Sequence, residues 1–279
     1  MRILESEKII ETVSKMAKEA NYFLGEKMRQ AFTKGKREEK SENAKKIFSQ
    51  LIENADVAAN ERIPICQDTG FAVVFLEIGS NLKIKGDIYE AVNEGIRKGY
   101  KEGYLRKSIV KDPLKRENTG DNTPAVIHTK IVPGNKLKII VAPKGGGSEN
   151  MSRIKMLKPS AGKKGVKKFV VDTVKKAGAN PCPPVIVGVG LGGTFEKAAY
   201  LSKKSLLRPV DDSHPESHLA NFEDELLKEV NKLGIGAQGI GGTKTALAVK
   251  IEKFPCHIAS LPVAVNLNCH AARHKEIII

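Results

Sequence analysis

Residues 184–194 read Pro184-Val185-Ile186-Val187-Gly188-Val189-Gly190-Leu191-Gly192-Gly193-Thr194. This stretch separates two architectures. Its β-forming run predicts a strand over residues 184–189, a glycine loop over 188–193 and a helix from about Thr194. The loop matches G-x-G-x-x-G, and Asp211 and Asp212 follow about twenty residues on, the form of a dinucleotide fingerprint. Taken alone, it makes the chain a doubly wound parallel sheet and a nicotinamide-dependent oxidoreductase. Its surroundings argue against that, because the fingerprint opens a series of βαβ units and no regular alternation is seen. The loop also directly follows Cys182, so its glycines could instead serve a cysteine site by letting backbone N–H groups approach an anion.

Outward from this stretch, the first sixty residues read as helical. Ile9, Ile10, Val13, Met16 and Ala17 recur at helical spacing, and Gly35 with the charged stretch 34–40 predicts a break. A second helix is expected over 41–60, with Ala44, Ile47, Phe48, Leu51 and Ile52 on one face. Phe71 to Ile78 predicts a strand. Asp87 with Glu90 has the form of a capping box for a helix carrying Ile88, Ala91, Val92 and Ile96. Residues 124–132 and 136–142, split by Pro133-Gly134-Asn135, predict a hairpin. Further helices are expected over 166–176, closed by Gly178, and over 219–233, ended by Gly234, and two strands around Phe254-Pro255. No internal repeat or long linker is evident. Helices first and hairpin-like strands later favour α+β: a helical N-terminal part packed with a mixed, largely antiparallel sheet, in one domain over 1–279.

The bulk numbers exclude several classes. A hydrophobic content of 41% and a charged content of 28% are those of a folded domain. The start shows no uninterrupted apolar core, so no signal peptide is expected, and no apolar run approaches the ~20 residues of a membrane span. A cytoplasmic location follows, where four cysteines read as thiols or metal ligands rather than disulfides. The net charge is +15, yet aromatics are 5%, Trp is absent and the lysines are scattered. That describes a Lys-rich surface; neither nucleic acid nor membrane is expected as a partner.

Three cysteines stand in loop-like company: Cys66 before Gln67-Asp68-Thr69-Gly70, Cys182 between prolines, and Cys269 before His270. A lone cysteine is most often a small buried hydrophobe, and Cys256 could be that. Polar neighbours beside a thiol are costly in a core and natural in a site. Three thiolates suit an iron–sulfur cubane with one open corner; zinc, completed by a His, is the metal alternative. His257 and His270 could each carry a proton or bind metal, although a surface or satisfied-core position is the default for a single His, and Arg106 could clamp a carboxylate, although a surface arginine is the default. The loop Gly236-Ala237-Gln238-Gly239-Ile240-Gly241-Gly242-Thr243-Lys244 lacks the Gly-Lys-Thr run of a phosphate loop and reads either as a close-packed turn or as an anion-holding nest.

Cys66-Gln67-Asp68-Thr69-Gly70, Gly145-Gly146-Gly147-Ser148-Glu149-Asn150, Pro181-Cys182-Pro183-Pro184 with the glycine run after it, and Leu261-Pro262-Val263-Ala264-Val265-Asn266 leading to Cys269 occur in that order. In this the chain resembles the iron–sulfur-dependent hydro-lyases, class I fumarase and L-tartrate dehydratase, from about residue 5 onward. The resemblance implies a [4Fe–4S] cluster held by Cys66, Cys182 and Cys269 in loops at one edge of the sheet. It implies substrate contacts from Gln67, Asp68, Arg106 and the Gly146 backbone, and catalytic parts for Asp68 and His257. One-chain members continue into a second domain that this sequence lacks. The resemblance therefore implies an α subunit, a separate β subunit completing the site, an α2β2 assembly and a dicarboxylate substrate. If the cluster is absent, the three sulfurs should still approach one another unless the loops need metal or partner to order.

Overall fold

The computed structural model describes residues 2–279. Along the chain run β1 (Arg2–Glu5), α1 (Ser6–Tyr22), α2 (Glu26–Glu38), α3 (Glu42–Glu61), β2 (Phe71–Gly79), β3 (Leu82–Lys85), α4 (Ile88–Glu102), β4 (Val126–Val132) and β5 (Leu137–Lys144). After them come α5 (Gly146–Glu149), β6 (Arg153–Leu157), α6 (Gly162–Ala177), β7 (Val185–Gly192), α7 (Phe195–Ser205), α8 (Ser217–Asn231), β8 (Ala246–Phe254), β9 (Leu261–Asn268) and β10 (Lys275–Ile278). The fold is α+β, as the sequence implies. The chain forms two compact units, each assembled from separate stretches. Met1–Gly25, Asn54–Gly146 and Arg273–Ile279 make the first; Glu26–Glu53 and Gly147–Ala272 make the second.

In the first unit, β2 is the apolar centre of a sheet ordered β10-β5-β2-β4, parallel to β4 and antiparallel to β5, which in turn pairs antiparallel with β10. The sheet buries Val74, Leu76, Ile139 and Val141 against Ile9, Val13 and Met16 of α1 and Val92 and Ile96 of α4. Gly95 and Gly99 permit the α1–α4 approach: a Cβ on either would stand within 3 Å of Val13 or of the Ser14 carbonyl. Asp87 caps α4 as its capping box predicts, accepting from the N–H groups of Tyr89 and Glu90. The expected hairpin does not form. β2 lies between β4 and β5, and its end enters the turn, where Ser80 and Asn81 donate to the carbonyls of Val132 and Gly134. The Pro133-Gly134 signal marks a turn but cannot say which strand fills it; the most apolar strand takes the middle because both its faces can be buried there.

The second unit repeats this strand plan without repeating the sequence. Its sheet is ordered β6-β9-β7-β8, with β7 parallel to β8 and antiparallel to β9, and β9 antiparallel to β6. Val185, Val187 and Val189 of β7 face a core completed by Val166, Val170, Leu226 and Val230 of α6 and α8. The opposite face meets α7. There a Cβ on Gly188 would stand 2.2 Å from the Ser202 carbonyl oxygen, and one on Gly190 2.1 Å from that of Ala198. These glycines are therefore strand residues that let a helix backbone lie on the sheet. The fingerprint reading is corrected on this ground: residues 188–191 lie inside β7, paired on both sides, Gly192 is still paired with β8, and the run forms no phosphate-binding turn. Gly35 is likewise no break. It lies inside α2, where a Cβ would meet the Phe48 ring at 2.9 Å.

Candidate active site

In each unit the functional loops gather where the central strand begins and its antiparallel neighbour ends. In the first unit Phe71 of β2 pairs with Lys144 of β5, so the segment 66–70 and the glycines 145–146 form one lip. Asp68 closes it: Oδ2 accepts from Gly146 N at 2.8 Å and Oδ1 from Gly70 N at 3.0 Å. Three buried side chains hold the loop by its carbonyls. Arg273 Nη2 donates to Asp68 O at 2.9 Å, the Tyr100 hydroxyl to Thr69 O at 2.7 Å, and Asn122 Nδ2 to Gly70 O at 3.1 Å. Burial pushes the Tyr100 hydroxyl well above the usual phenol range, so it stays a donor. Thr69 Oγ1 donates to Arg106 O at 2.9 Å, tying the Arg106 segment to the same loop with its side chain exposed. Cys66 is half-buried and donates to Gln67 Oε1 at 3.2 Å. Cys66, Gln67, Asp68, Arg106 and Gly146 thus belong to this unit.

Cys182 and Cys269 belong to the second. Ile186 of β7 pairs with Asn268 of β9, so Cys182, three residues before β7, and Cys269, one after β9, stand at the same end of adjacent strands. His270 N donates to Cys182 O at 3.1 Å and joins the two loops. Cys182 is exposed and takes left-handed backbone, φ 52°, unusual for a residue with a Cβ. All four cysteines are free. Among the described residues, no three His, Cys, Asp or Glu side chains stand close enough together to hold a metal ion.

His257 lies elsewhere in this unit. It precedes β9, whereas Cys269 follows it, and a strand from Leu261 to Asn268 spans roughly 23 Å at the usual rise. It is exposed, with Nδ1 accepting from Ala259 N. The unit brings His270, not His257, to the cysteines.

The second glycine loop is a nest, and its anion is internal. Glu39, 3% exposed, accepts from Thr243 N at 2.8 Å, Lys244 N at 3.0 Å and Thr243 Oγ1 at 3.0 Å. Burial alone would raise this carboxyl; the backbone N–H groups of Thr243, Ser41 and Lys40 outweigh it and hold the carboxyl below its ordinary value. Asp211 and Asp212 are also engaged, with Lys27 at 2.6 Å and Lys250 at 2.7 Å. Nothing in the sequence marks Arg273, Tyr100 or Asn122 as supports of the first lip. Gln238, in the second glycine loop, was visible only as part of a loop.

Each lip by itself offers donors that suit a soft metal: a thiol beside a fixed carboxylate in the first, and two thiols at one sheet end in the second. No helix of the described residues is long and apolar enough to cross a membrane. Comparison with known proteins agrees with the motif reading. A family model described as "Fumarate hydratase (Fumerase)" matches residues 10–278. A Methanocaldococcus jannaschii protein, provisionally named L(+)-tartrate dehydratase subunit alpha, is 44% identical over 273 residues, covering 95% of both chains. The L(+)-tartrate dehydratase subunit alpha of Escherichia coli K12 is 34% identical over 244 residues, covering 86% of this chain and 80% of that one. The chain belongs to the fumarate hydratase family and is a hydro-lyase.

Proposed function

We propose that this chain is the α subunit of a two-chain class I fumarate hydratase, a single hydro-lyase domain that interconverts (S)-malate and fumarate in the cytoplasm. The observation that carries the reading is the pairing of Cys182 and Cys269 at one sheet end, in a family member with a third thiol, Cys66, beside a carboxylate lip. Cys66, Cys182 and Cys269 would hold a [4Fe–4S] cluster. When bound, it supplies a Lewis-acidic iron for a substrate oxygen.

The chain's own residues do the rest. Dehydration removes a weakly acidic proton beside a carboxylate and expels hydroxide. Asp68 is held by two backbone N–H groups and can orient a proton carrier without swinging away. Arg106 and Gln67 are exposed next to it, a cation and an amide suited to a substrate carboxylate. The Gly146 backbone adds a close approach for the same group. The net charge of +15 favours a dianionic substrate over a neutral one. His257 would take its catalytic part from the far end of β9, where its side chain is exposed.

The relatives' names, subunit alpha, support a separate β subunit that completes the site, in an α2β2 assembly. The same names favour a second reading of the substrate, L(+)-tartrate, with unchanged chemistry. The test is anaerobic reconstitution, with iron and inorganic sulfide measured per chain. About four of each is expected in the unaltered chain and in Cys256→Ser, and a loss in Cys182→Ser. Full loading of Cys182→Ser would overturn the cluster assignment. Malate and tartrate turnover, with and without the β chain, then assigns the substrate; turnover by pure α chain would sink the two-chain site.

A further inference from the structure

We propose that Gln238 is a positioning residue that sets the Cys182 and Cys269 thiols relative to each other. The inference rests on reading those cysteines as ligands of one centre, and it concerns only the second unit.

Gln238 lies in the glycine loop that the phosphate-loop comparison leaves without a role. Its backbone is left-handed, φ 51° and ψ 18°, a conformation that is unfavourable for a residue with a Cβ and usually falls to Gly or Asn. The loop is wedged in place. A Cβ on Gly236 would stand 1.9 Å from the Gly241 carbonyl oxygen, and one on Gly239 2.3 Å from the Ala179 Cβ. Ala179 opens the turn that presents Cys182, because Cys182 N donates to Ala179 O at 3.0 Å. A glutamine held at a strained position that a glycine would occupy without strain points to a task for its side chain.

That task is legible in its bonds. Gln238 donates twice to Pro183 O, from the backbone N at 2.7 Å and from Nε2 at 2.9 Å. Nε2 also lies 3.1 Å from His270 Nδ1. One amide nitrogen therefore joins the residue after Cys182 to the residue after Cys269. The network also assigns the imidazole. His270 Nδ1 lies 3.2 Å from Cys182 O as well, and a ring nitrogen cannot accept from the amide and donate to that carbonyl at once. An amide oxygen 2.9 Å from the Pro183 carbonyl oxygen would be repelled, so Nε2 is the atom that faces it, and Cys182 O already receives the His270 backbone N–H. Nδ1 therefore accepts from Gln238 and the ring proton sits on Nε2. Gln238 touches neither sulfur; it acts through Pro183 and His270. Partners of this kind beside metal-binding side chains hold ligand geometry, and their loss typically weakens binding about 10–100-fold.

The test uses the reduced, metal-free full chain with Cys66→Ser and Cys256→Ser, leaving two thiols. Phenylarsine oxide captures paired thiols by forming two As–S bonds with release of water, and its affinity reads their relative placement. Gln238→Gly keeps the left-handed backbone and the N–H bond to Pro183 while removing the amide. Gln238→Glu keeps the length and removes both donors. The expected result is one equivalent bound by the parent, with affinity at least about tenfold weaker in both variants, and an unfolding midpoint for Gln238→Gly no lower than the parent's. Equal affinities, no capture by the parent, or a loss that tracks a lowered midpoint would each overturn the proposal. Iron and sulfide uptake by the chain with all four cysteines is measured in parallel. Capture that depends on Gln238 without any cluster uptake would leave the positioning role standing and remove the cluster from the reading.

Discussion

Replacing Arg273 by Met tests whether the first lip is held from beneath. Arg273 is 6% exposed and Asn21 is fully buried. The guanidinium gives Asn21 Oδ1 two donors, at 3.3 and 3.1 Å, and Asp68 O one at 2.9 Å. Methionine fills most of the volume and strands both acceptors. Each unsatisfied buried acceptor costs about 1–3 kcal/mol, and relief from burying a cation offsets part, leaving about 3 kcal/mol for the pair. A chain of this size loses roughly 2–4 °C of Tm per kcal/mol, so a fall of about 6–12 °C is expected. Urea unfolding should show a lower midpoint at unchanged slope, the signature of lost stability rather than a changed denatured state. Arg153→Met is the reference, because its pair with Asp172 is solvent-exposed and screened by water. A cycle with Asn21→Ala should return a coupling of at least about 1 kcal/mol. A loss under about 0.5 kcal/mol for Arg273→Met, or one matching Arg153→Met, would refute the argument.

Two further outcomes are expected. Glu39→Gln should cost about 1–3 kcal/mol at neutral pH, because the amide is a poorer acceptor for the nest. The Glu39 carboxyl is depressed in the folded chain, so its contribution is present above the ordinary glutamate range and disappears as pH falls toward the depressed value. Urea midpoints followed against pH should therefore converge for the two proteins on the acid side, and a constant gap would contradict the assignment. Gly190→Ala puts a Cβ against α7 backbone and should cost about 2 kcal/mol or more, while Gly25→Ala, with open space around it, should be neutral or slightly stabilising. Thermal melts of the pair decide this, and equal midpoints would remove the close-packing account of the glycine strand.

Local rules made part of the fold legible. The apolar period of α1 and the Asp87 cap of α4 depend on residues a few positions apart, and both were readable. Gly35, Gly188 and Gly190 misled because a glycine is punctuation only when nothing is packed on it. Here each glycine makes room for something distant: Phe48 in one case, the backbone of α7 in the others. The hairpin around Pro133 failed for a related reason, since pairing partners in a sheet are chosen by burial across the whole sheet. The site was readable as motifs and not as supports. Cys182 advertises itself by its prolines, while Arg273 and Tyr100 act through backbone carbonyls, which carry no residue signature.

The two lips also differ in what they can afford to change. In each, the residue two past the last paired position of the neighbouring strand donates a backbone N–H across to the segment before the central strand: Gly146 to Asp68, His270 to Cys182. Asp68 receives that bond on its side chain, whereas Cys182 receives it on its carbonyl. Substitution at 68 therefore reopens the first lip, and substitution at 182 alters the second lip's chemistry while its closure stands. One frame used twice therefore has a half locked by its own side chain and a half whose closure does not depend on its side chain, and new metal chemistry would enter this scaffold through the second.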